Sequence, residues 1–499
     1  MKAIIYQLNL MTLSLMASAA YGAGIGVPFY STDAASTADS NGVEAKSPAV
    51  MVTNPAGLTY LSDTWLENNL FIMQPRFRYF NGRGYYFRTH EPIQGSNSGE
   101  VGHRIEIPST FISHRFNNKI VGGMAIYAPF GADFTYPLDS VMRYNGNRIR
   151  LMTVMFNPNI AFKIAPHHSI GLGVYALASK AKLRQFADET EPLNVYARRF
   201  LPFIFQGKDA FRSGTFEIYA TPKGWSVSYG YNLSWLWDVT PDFRLGVSYR
   251  SRSHSKLHGT SQWFNYSSTF NLPLIGSVMD YGQQILGFKN KEKVNFYLDY
   301  PDLWQLQAQW KISDQLKLFA NYSYSHDSVK KSLHIDWERM KIVPDASTDT
   351  PNVTASNYSE IALNFKDSWR LGLGGSYHVS KPLELRFGVT YMSSSARGPK
   401  GRSAVTPDND TYLIGLGGNY QYSRNLIFGF SYNYLKLKNA KVAATSYCGG
   451  SLERGLGALN CVDSRGHSFA DTHSDAHTLG PVSYTHLRAY ATVLDLVCR

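Results

Sequence analysis

The feature that most constrains this 499-residue chain is a two-residue period that recurs along most of its length. In WQLQAQWKI, Trp304, Leu306, Ala308, Trp310 and Ile312 share one face of an extended chain, and Gln305, Gln307, Gln309 and Lys311 share the other. LELRFGVTY divides into Leu383, Leu385, Phe387, Val389 and Tyr391 against Glu384, Arg386, Gly388 and Thr390. RLGLGGSYHV from Arg370, LIFGFSYNY from Leu426 and FRLGVSYRS from Phe243 repeat the pattern. Successive side chains of a strand point to opposite faces. A strand crossing a bilayer in a closed barrel sets apolar groups outward and admits polar ones inward. A soluble sandwich shows a few such strands, but rarely so many long ones. The pattern therefore predicts an all-β, antiparallel transmembrane β-barrel. Aromatic residues make up 14% of the chain, which suits girdles at both membrane interfaces.

The N-terminal stretch MKAIIYQLNLMTLSLMASAAYGAG reads as a bacterial export signal, with Lys2 as its positive end and Ile4 to Met16 as a short apolar core. Cleavage after Gly22 sets Ala20 and Gly22 at the small-residue positions, with Ala20 and Ala23 as competing ends. No later run reaches the roughly 18 apolar residues of a membrane helix. The expected location is the bacterial outer membrane. The net charge of +12 would suit nucleic acid, which an exported protein rarely meets. A solvated lumen, or loops facing lipopolysaccharide phosphates, accounts for it better.

Short connections recur at residues 116–119, 165–168, 239–242, 312–315, 379–382 and 422–425. Long polar stretches lie between them, at 82–104, 187–222, 259–293, 327–358 and 393–410. Short turns face the periplasm and long loops the exterior in such barrels. The strands expected from this reading number thirteen, an odd count for a barrel whose two ends both start in the periplasm. The missing strand belongs at the C-terminus. DAHTLG (475–480) begins it, after which PVSYTHLRAYATVLDLVCR breaks the alternation. Residues 481–499 are accordingly expected to be a non-native tail that replaces or corrupts the last strand. Cys448 and Cys461 fall in the last expected exterior loop, where an oxidising compartment permits a disulfide between them.

The order of motifs resembles the FadL/TodX family of outer-membrane transporters for long-chain fatty acids and hydrocarbons. The resemblance rests on NPAGL (54–58), GGMAIYAPFG (122–131), the strand pair at 157–187, FRLGVSYRSRSHSKLHG (243–259), FKDSWRLGLGGSY (365–377) and TPDNDTYLIGLG (406–417). It implies a barrel of fourteen strands, residues 65–480, closed by an N-terminal hatch. The hatch would span residues 23–64 after a signal at 1–22, with Asn54, Pro55, Ala56 and Gly57 as its signature turn. It also implies a lateral exit at a kink in the third strand, where Ala128, Pro129, Phe130 and Gly131 stand. Proline lacks a ladder donor and glycine weakens pairing, so the residue types suit an interruption there. Lys182, Arg184, Lys366 and Arg370 are candidates to hold a ligand head group in the lumen. Gln185 stands where the family would place an arginine, which leaves room for an uncharged ligand.

Other signals carry less. GLGVYA (171–176) and GLGGNY (415–420) echo nucleotide-binding glycines, but neither opens a helix. His467, His473 and His477 with Asp471 and Asp475 lack a regular ligand spacing. No nucleophile arrangement is present, and neither an enzymatic activity, a metal nor another cofactor is expected. The expected partners are outer-membrane lipid and lipopolysaccharide, a hydrophobic small-molecule ligand and the barrel-assembly machinery, with no nucleic acid and a monomeric state. The function expected is passive transport of hydrophobic molecules, gated by the hatch. A water-filled porin and a loop-displaying adhesin are the alternatives. The apolar loop residues Phe200, Leu201, Phe203, Ile204 and Phe205, and FNLPLI from Phe270 to Ile275, suggest an apolar uptake surface.

Overall fold

The computed structural model describes residues 26–446 and 466–487, apart from positions 88, 201, 207, 268–270, 273–275, 289, 331, 345–351, 364, 405–406 and 424. The export signal, Cys448, Cys461 and residues 488–499 lie outside the described residues, as do Leu201, Phe270, Pro273, Leu274 and Ile275.

The alternation becomes a wall with inverted polarity. Trp304, Leu306 and Trp310 are exposed on its outside, Leu306 at 54%, while Gln305 and Gln307 are buried within. Leu385, Phe387 and Val389 likewise face out, and Glu384, Arg386 and Thr390 are buried. No helix among the described residues is long and apolar enough to cross a membrane, so the strands alone carry the apolar surface.

Each strand pairs antiparallel with the next. The wall starts with β1 (Thr64–Tyr86), β2 (Ile105–Arg115) and β3 (Ile120–Tyr127, then Gly131–Thr135). β4 (Arg148–Ala165), β5 (His168–Asp188) and β6 (Lys223–Thr240) follow. The next strands are each broken once: β7 (Phe243–Arg250 and Ser253–Asn265), β8 (Lys291–Tyr300 and Leu303–Lys311), β9 (Leu316–Ser325 and Ser332–Pro344) and β10 (Val353–Ala362 and Ser368–His378). β11 (Leu383–Met392), β12 (Thr411–Ser423), β13 (Leu426–Leu437 and Ala440–Ser446) and β14 (Gly466–Leu487) complete the series. β14 pairs with β1 from Thr64↔Leu487 to Tyr86↔Gly466 and closes the barrel.

Two expectations are corrected here. The last strand is present, and it runs through residue 480 to Leu487. On its outward face His473, Asp475, His477, Ser483 and Thr485 interrupt the apolar Phe469 and Leu479, so alternation could not reveal it. The stretches 259–293 and 327–358 are also not simply loops. They hold the outer half of β9 and parts of β7, β8 and β10. Beyond the membrane band the polarity reverses. Leu333, Ile335, Trp337 and Val343 point inward and are buried with Val294, Phe296, Trp263 and Phe288. Lys341 and Glu292 are paired at 2.8 Å within this apolar layer, both fully buried. Helices α2 (Thr190–Phe200), α3 (Pro202–Phe205) and α4 (Val278–Ile285) cap this end. Phe200 and Phe203 project from it, Phe203 at 94% exposure.

Candidate ligand route through the barrel

The N-terminal residues 26–61 lie inside the ring of strands. They form a short helix α1 (Thr32–Ser36) and two single-turn helices, Pro48–Val52 and Pro55–Tyr60. Proline suits the first position of such turns, where no backbone donor is needed. The turn at Asn54, Pro55, Ala56 and Gly57 is hydrogen-bonded to two strands. Asn54 Nδ2 donates to Gln307 Oε1 of β8 at 3.0 Å and to the Trp235 carbonyl of β6 at 3.2 Å. The Ala56 amide donates to Ser234 Oγ at 2.8 Å, and Gly57 N–H closes the turn on the Asn54 carbonyl at 2.9 Å.

The inward glycines of the strands make room for this segment. A β-carbon on Gly388 would lie 2.0 Å from the Thr37 carbonyl oxygen, and one on Gly415 2.2 Å from that of Ala35. One on Gly171 would lie 2.3 Å from the Ala56 amide nitrogen. GLGVYA and GLGGNY thus place glycines where a second backbone packs against the wall, which is one of the uses of glycine in strands.

Charges tie the segment to the wall. Arg386 of β11 is fully buried and donates to Glu44, with Glu384 at 3.1 Å and Asp33 at 3.6 Å. Lys46 reaches Glu384 at 2.5 Å. Burial pushes the Asp33 carboxyl above its usual range against the pull of Arg386. For Glu44 burial is outweighed by the charge and hydrogen bond of Arg386, which hold it below that range. On the opposite side, Arg244 pairs with Asp238 at 2.7 Å, donates to the Val43 carbonyl at 3.2 Å and stacks over Tyr60 at 3.8 Å.

The wall is interrupted at β3. Its pairing with β2 ends at Thr110↔Ile126, and the next described contact on that side is the isolated bridge Gly102↔Phe134. On the β4 side the register passes from Tyr127↔Met155 to Gly131↔Met152. Four residues of β3 therefore span three of β4, a bulge. The interruption falls on Ala128, Pro129 and Phe130, with Gly131 resuming the strand. Backbone polar groups freed there find other partners. Thr153 Oγ1 serves both the Phe130 amide, at 3.1 Å, and its carbonyl, at 2.5 Å. The Pro129 carbonyl accepts from Val27 N–H at 2.9 Å, and Gly26 bridges Phe130. Ser109 of β2 donates to the Tyr30 carbonyl. Residues 26–30 thus occupy the space between β2 and β3.

A cavity opens on the lumen side of this break, lined by Val27, Tyr30, Phe130, Arg250, Leu303 and Arg370, among others. Phe130 stacks on Tyr300 at 4.6 Å, and the Arg250 guanidinium lies 5.5 Å from the Phe130 ring. Arg370 is 3.5 Å from Asp39, whose carboxyl burial raises and Arg370 draws back. Lys330 pairs with Asp327 at 2.6 Å. Arg250 lines the cavity without an ion pair among the described residues, and its charge adds to that of Arg370 in drawing down the buried Asp39 carboxyl. Sequence reasoning missed Arg250, although an inward arginine beside the β7 break at 251–252 was the available signal.

Of the four head-group candidates only Arg370 lies at this cavity. Lys182 and Arg184 share the outward parity of Leu172 and Val174 on β5, so they face away from the lumen. Leu177 and Leu183 are buried on the inner face. With apolar residues on both faces, the strand hid its own sidedness. Lys366 is exposed ahead of the Ser368–His378 segment of β10. Gln185 is buried. His467, His473, His477, Asp471 and Asp475 share the outer side of β14, and no metal-binding cluster occurs among the described residues.

A closed antiparallel barrel with an apolar outside and a polar, occupied inside defines an outer-membrane channel protein. The chain belongs to the outer membrane protein transport protein family (OMPP1/FadL/TodX), whose model matches residues 13–480. It is 27% identical over 484 residues to an outer membrane protein of Neisseria meningitidis serogroup B, covering 96% of this chain and 97% of that one. It is 22% identical over 321 residues to the long-chain fatty acid transport protein of Escherichia coli O6:H1, covering 64% and 66%. In fold it is similar to a Pseudomonas aeruginosa FadL homologue, with a TM-score of 0.75 at 18% identity over 93% of this chain and 99% of that one. The Pseudomonas putida toluene transporter TodX aligns with a TM-score of 0.62 at 12% identity, covering 92% and 99%. The protein is therefore an outer-membrane transporter.

Proposed function

We propose that this protein carries hydrophobic molecules, long-chain fatty acids or related hydrocarbons, passively across the outer membrane. Residues 26–61 act as the hatch, and ligand leaves sideways between β2 and β3. The observation that carries this reading is the break at Ala128–Phe130 filled by residues 26–30, with a cavity directly behind it. A ligand reaching the cavity would bring its chain against Phe130, Leu303 and Val27 and a carboxylate, if it has one, to Arg250. Displacing residues 26–30 would then open the space between the strands toward the lipid. Names borne by relatives, a long-chain fatty acid transport protein and a toluene transporter, agree in substrate class.

The hydrogen bonds and ion pairs that bind residues 26–61 to several strands weigh against an open porin. The experiment is uptake into liposomes holding the purified protein. Labelled fatty acid should enter while small sugars pass slowly. Rapid sugar-driven swelling without fatty acid uptake would establish the porin reading instead.

A further inference from the structure

Cations on the outer surface of β4 to β8 form a row just beyond the aromatic girdle. Arg150 stands opposite Lys182, Lys182 opposite Lys223, Lys223 opposite Thr260, and Thr260 opposite Lys293. One step farther from the membrane band Arg148 faces Arg184, and one step nearer Lys180 faces Trp225. This end lies away from the short turns at 165–168 and 240–243, so it belongs to the outer leaflet.

Like charges set directly across neighbouring strands destabilise a sheet. Protein anions answer few of these. Arg150 is 3.3 Å from Asp133, and Arg184 donates to the neutral Asn147 at 2.8 Å. Lys180, Lys182, Lys223 and Lys291 have no ion pair among the described residues. The surface between them is concave. A cleft where β6 begins at Lys223 is lined by Arg148, Lys182, Arg184, Lys223, Thr260 and Lys291. Arg148 Nε is buried there without a hydrogen-bond partner. Immediately below, Trp225, Val227 and Tyr229 of β6 are exposed toward lipid.

We propose that this cleft binds the phosphate group of lipopolysaccharide, with the acyl chains of the same molecule lying against Trp225, Val227 and Tyr229. A phosphate would meet several cations at once, as arginine and lysine side chains commonly bind it, and the apolar strip below supplies the place for the chains. The site faces away from the lumen, so it is independent of the transport reading.

The test uses full-length protein in zwitterionic detergent and diphosphoryl lipid A, with binding followed by native mass spectrometry. Wild type should retain lipid A. The variant Lys182→Gln/Lys223→Gln, and separately Lys223→Gln alone should the double variant not fold, should bind at least tenfold more weakly. Lys436→Gln/Lys438→Gln, at the break in β13, should bind as wild type does. Folding is checked by the heat-dependent shift in gel mobility. Dephosphorylated lipid A should bind poorly, and inorganic phosphate at matched concentration should not compete. Equal binding by wild type and the folded Lys182/Lys223 variants would overturn the proposal, as would equal retention of dephosphorylated lipid. Competition by inorganic phosphate at matched concentration would make this a free-anion site and overturn the lipid assignment.

Discussion

Arg386, in the middle of β11, and Glu44, in the N-terminal segment, are joined across the lumen wall as a buried ion pair that Asp33 and Glu384 share. The arginine is the main charge holding three carboxylates together, with Lys46 supporting Glu384. Removing one partner of a buried pair costs about 3–5 kcal/mol, because the other charge is left uncompensated. Arg386→Ala should therefore release the N-terminal segment more readily than it unfolds the barrel. Conductance to small ions in planar bilayers should rise, and trypsin should cut near Lys46 in the variant but not in wild type. Unchanged conductance with a protected Lys46 would show that this cluster does not hold the segment.

Steric displacement offers an independent route to the same state. Gly388→Val and Gly415→Val introduce side chains where Thr37 and Ala35 already stand. β-Branched residues suit strands, so the barrel should keep its heat-resistant gel mobility while leakage of small polar solutes increases. Folded variants that stay as tight as wild type would contradict the close packing of segment and wall.

Where the wall meets lipid, the sequence spelled out the fold. Trp304, Leu306 and Trp310 against Gln305 and Gln307 could be assigned to sides by residue type alone. The same code fails in three places for physical reasons. Beyond the bilayer, Leu333, Ile335 and Trp337 turn inward to an apolar layer, so an outer half-strand resembled a loop. On β14 most outward positions carry His, Asp, Ser or Thr, with Phe469 and Leu479 among them, and the strand is defined by its pairing with β1 and β13. On β5 both faces carry apolar side chains, which sent Lys182 and Arg184 to the wrong side. The break at Pro129 was legible because proline and glycine alter the backbone itself. The cavity behind it was not, because it is assembled from β7, β8, β10 and the N-terminus.

Arg250 provides a test of ligand class. A hydrogen bond to a charged group contributes about 1.5–3 kcal/mol, or roughly 10- to 150-fold in affinity. Arg250→Gln should weaken binding of a fatty acid by that order and leave an uncharged hydrocarbon of equal length almost unaffected, as read by fluorescent-ligand displacement. Equal losses for both ligands would remove Arg250 as a carboxylate partner.

Straightening β3 should separate transport from binding. Pro129→Val/Gly131→Val restores a backbone donor and favours continuous pairing. Heat resistance should hold or improve and ligand affinity should change little, while uptake by cells falls. Uptake at the wild-type rate by the folded double variant would send release through the lumen instead.

The most direct measurement locks residues 26–30 in place. Gly26 and Phe130 are bridge partners, and facing positions on paired strands lie within the separation that a disulfide spans. In a background with Cys448, Cys461 and Cys498 changed to serine, Gly26→Cys/Phe130→Cys should form this bond on oxidation. Uptake of labelled fatty acid by cells should then stop, and dithiothreitol should restore it. Uptake that continues undiminished through the fully oxidised protein would contradict exit between β2 and β3.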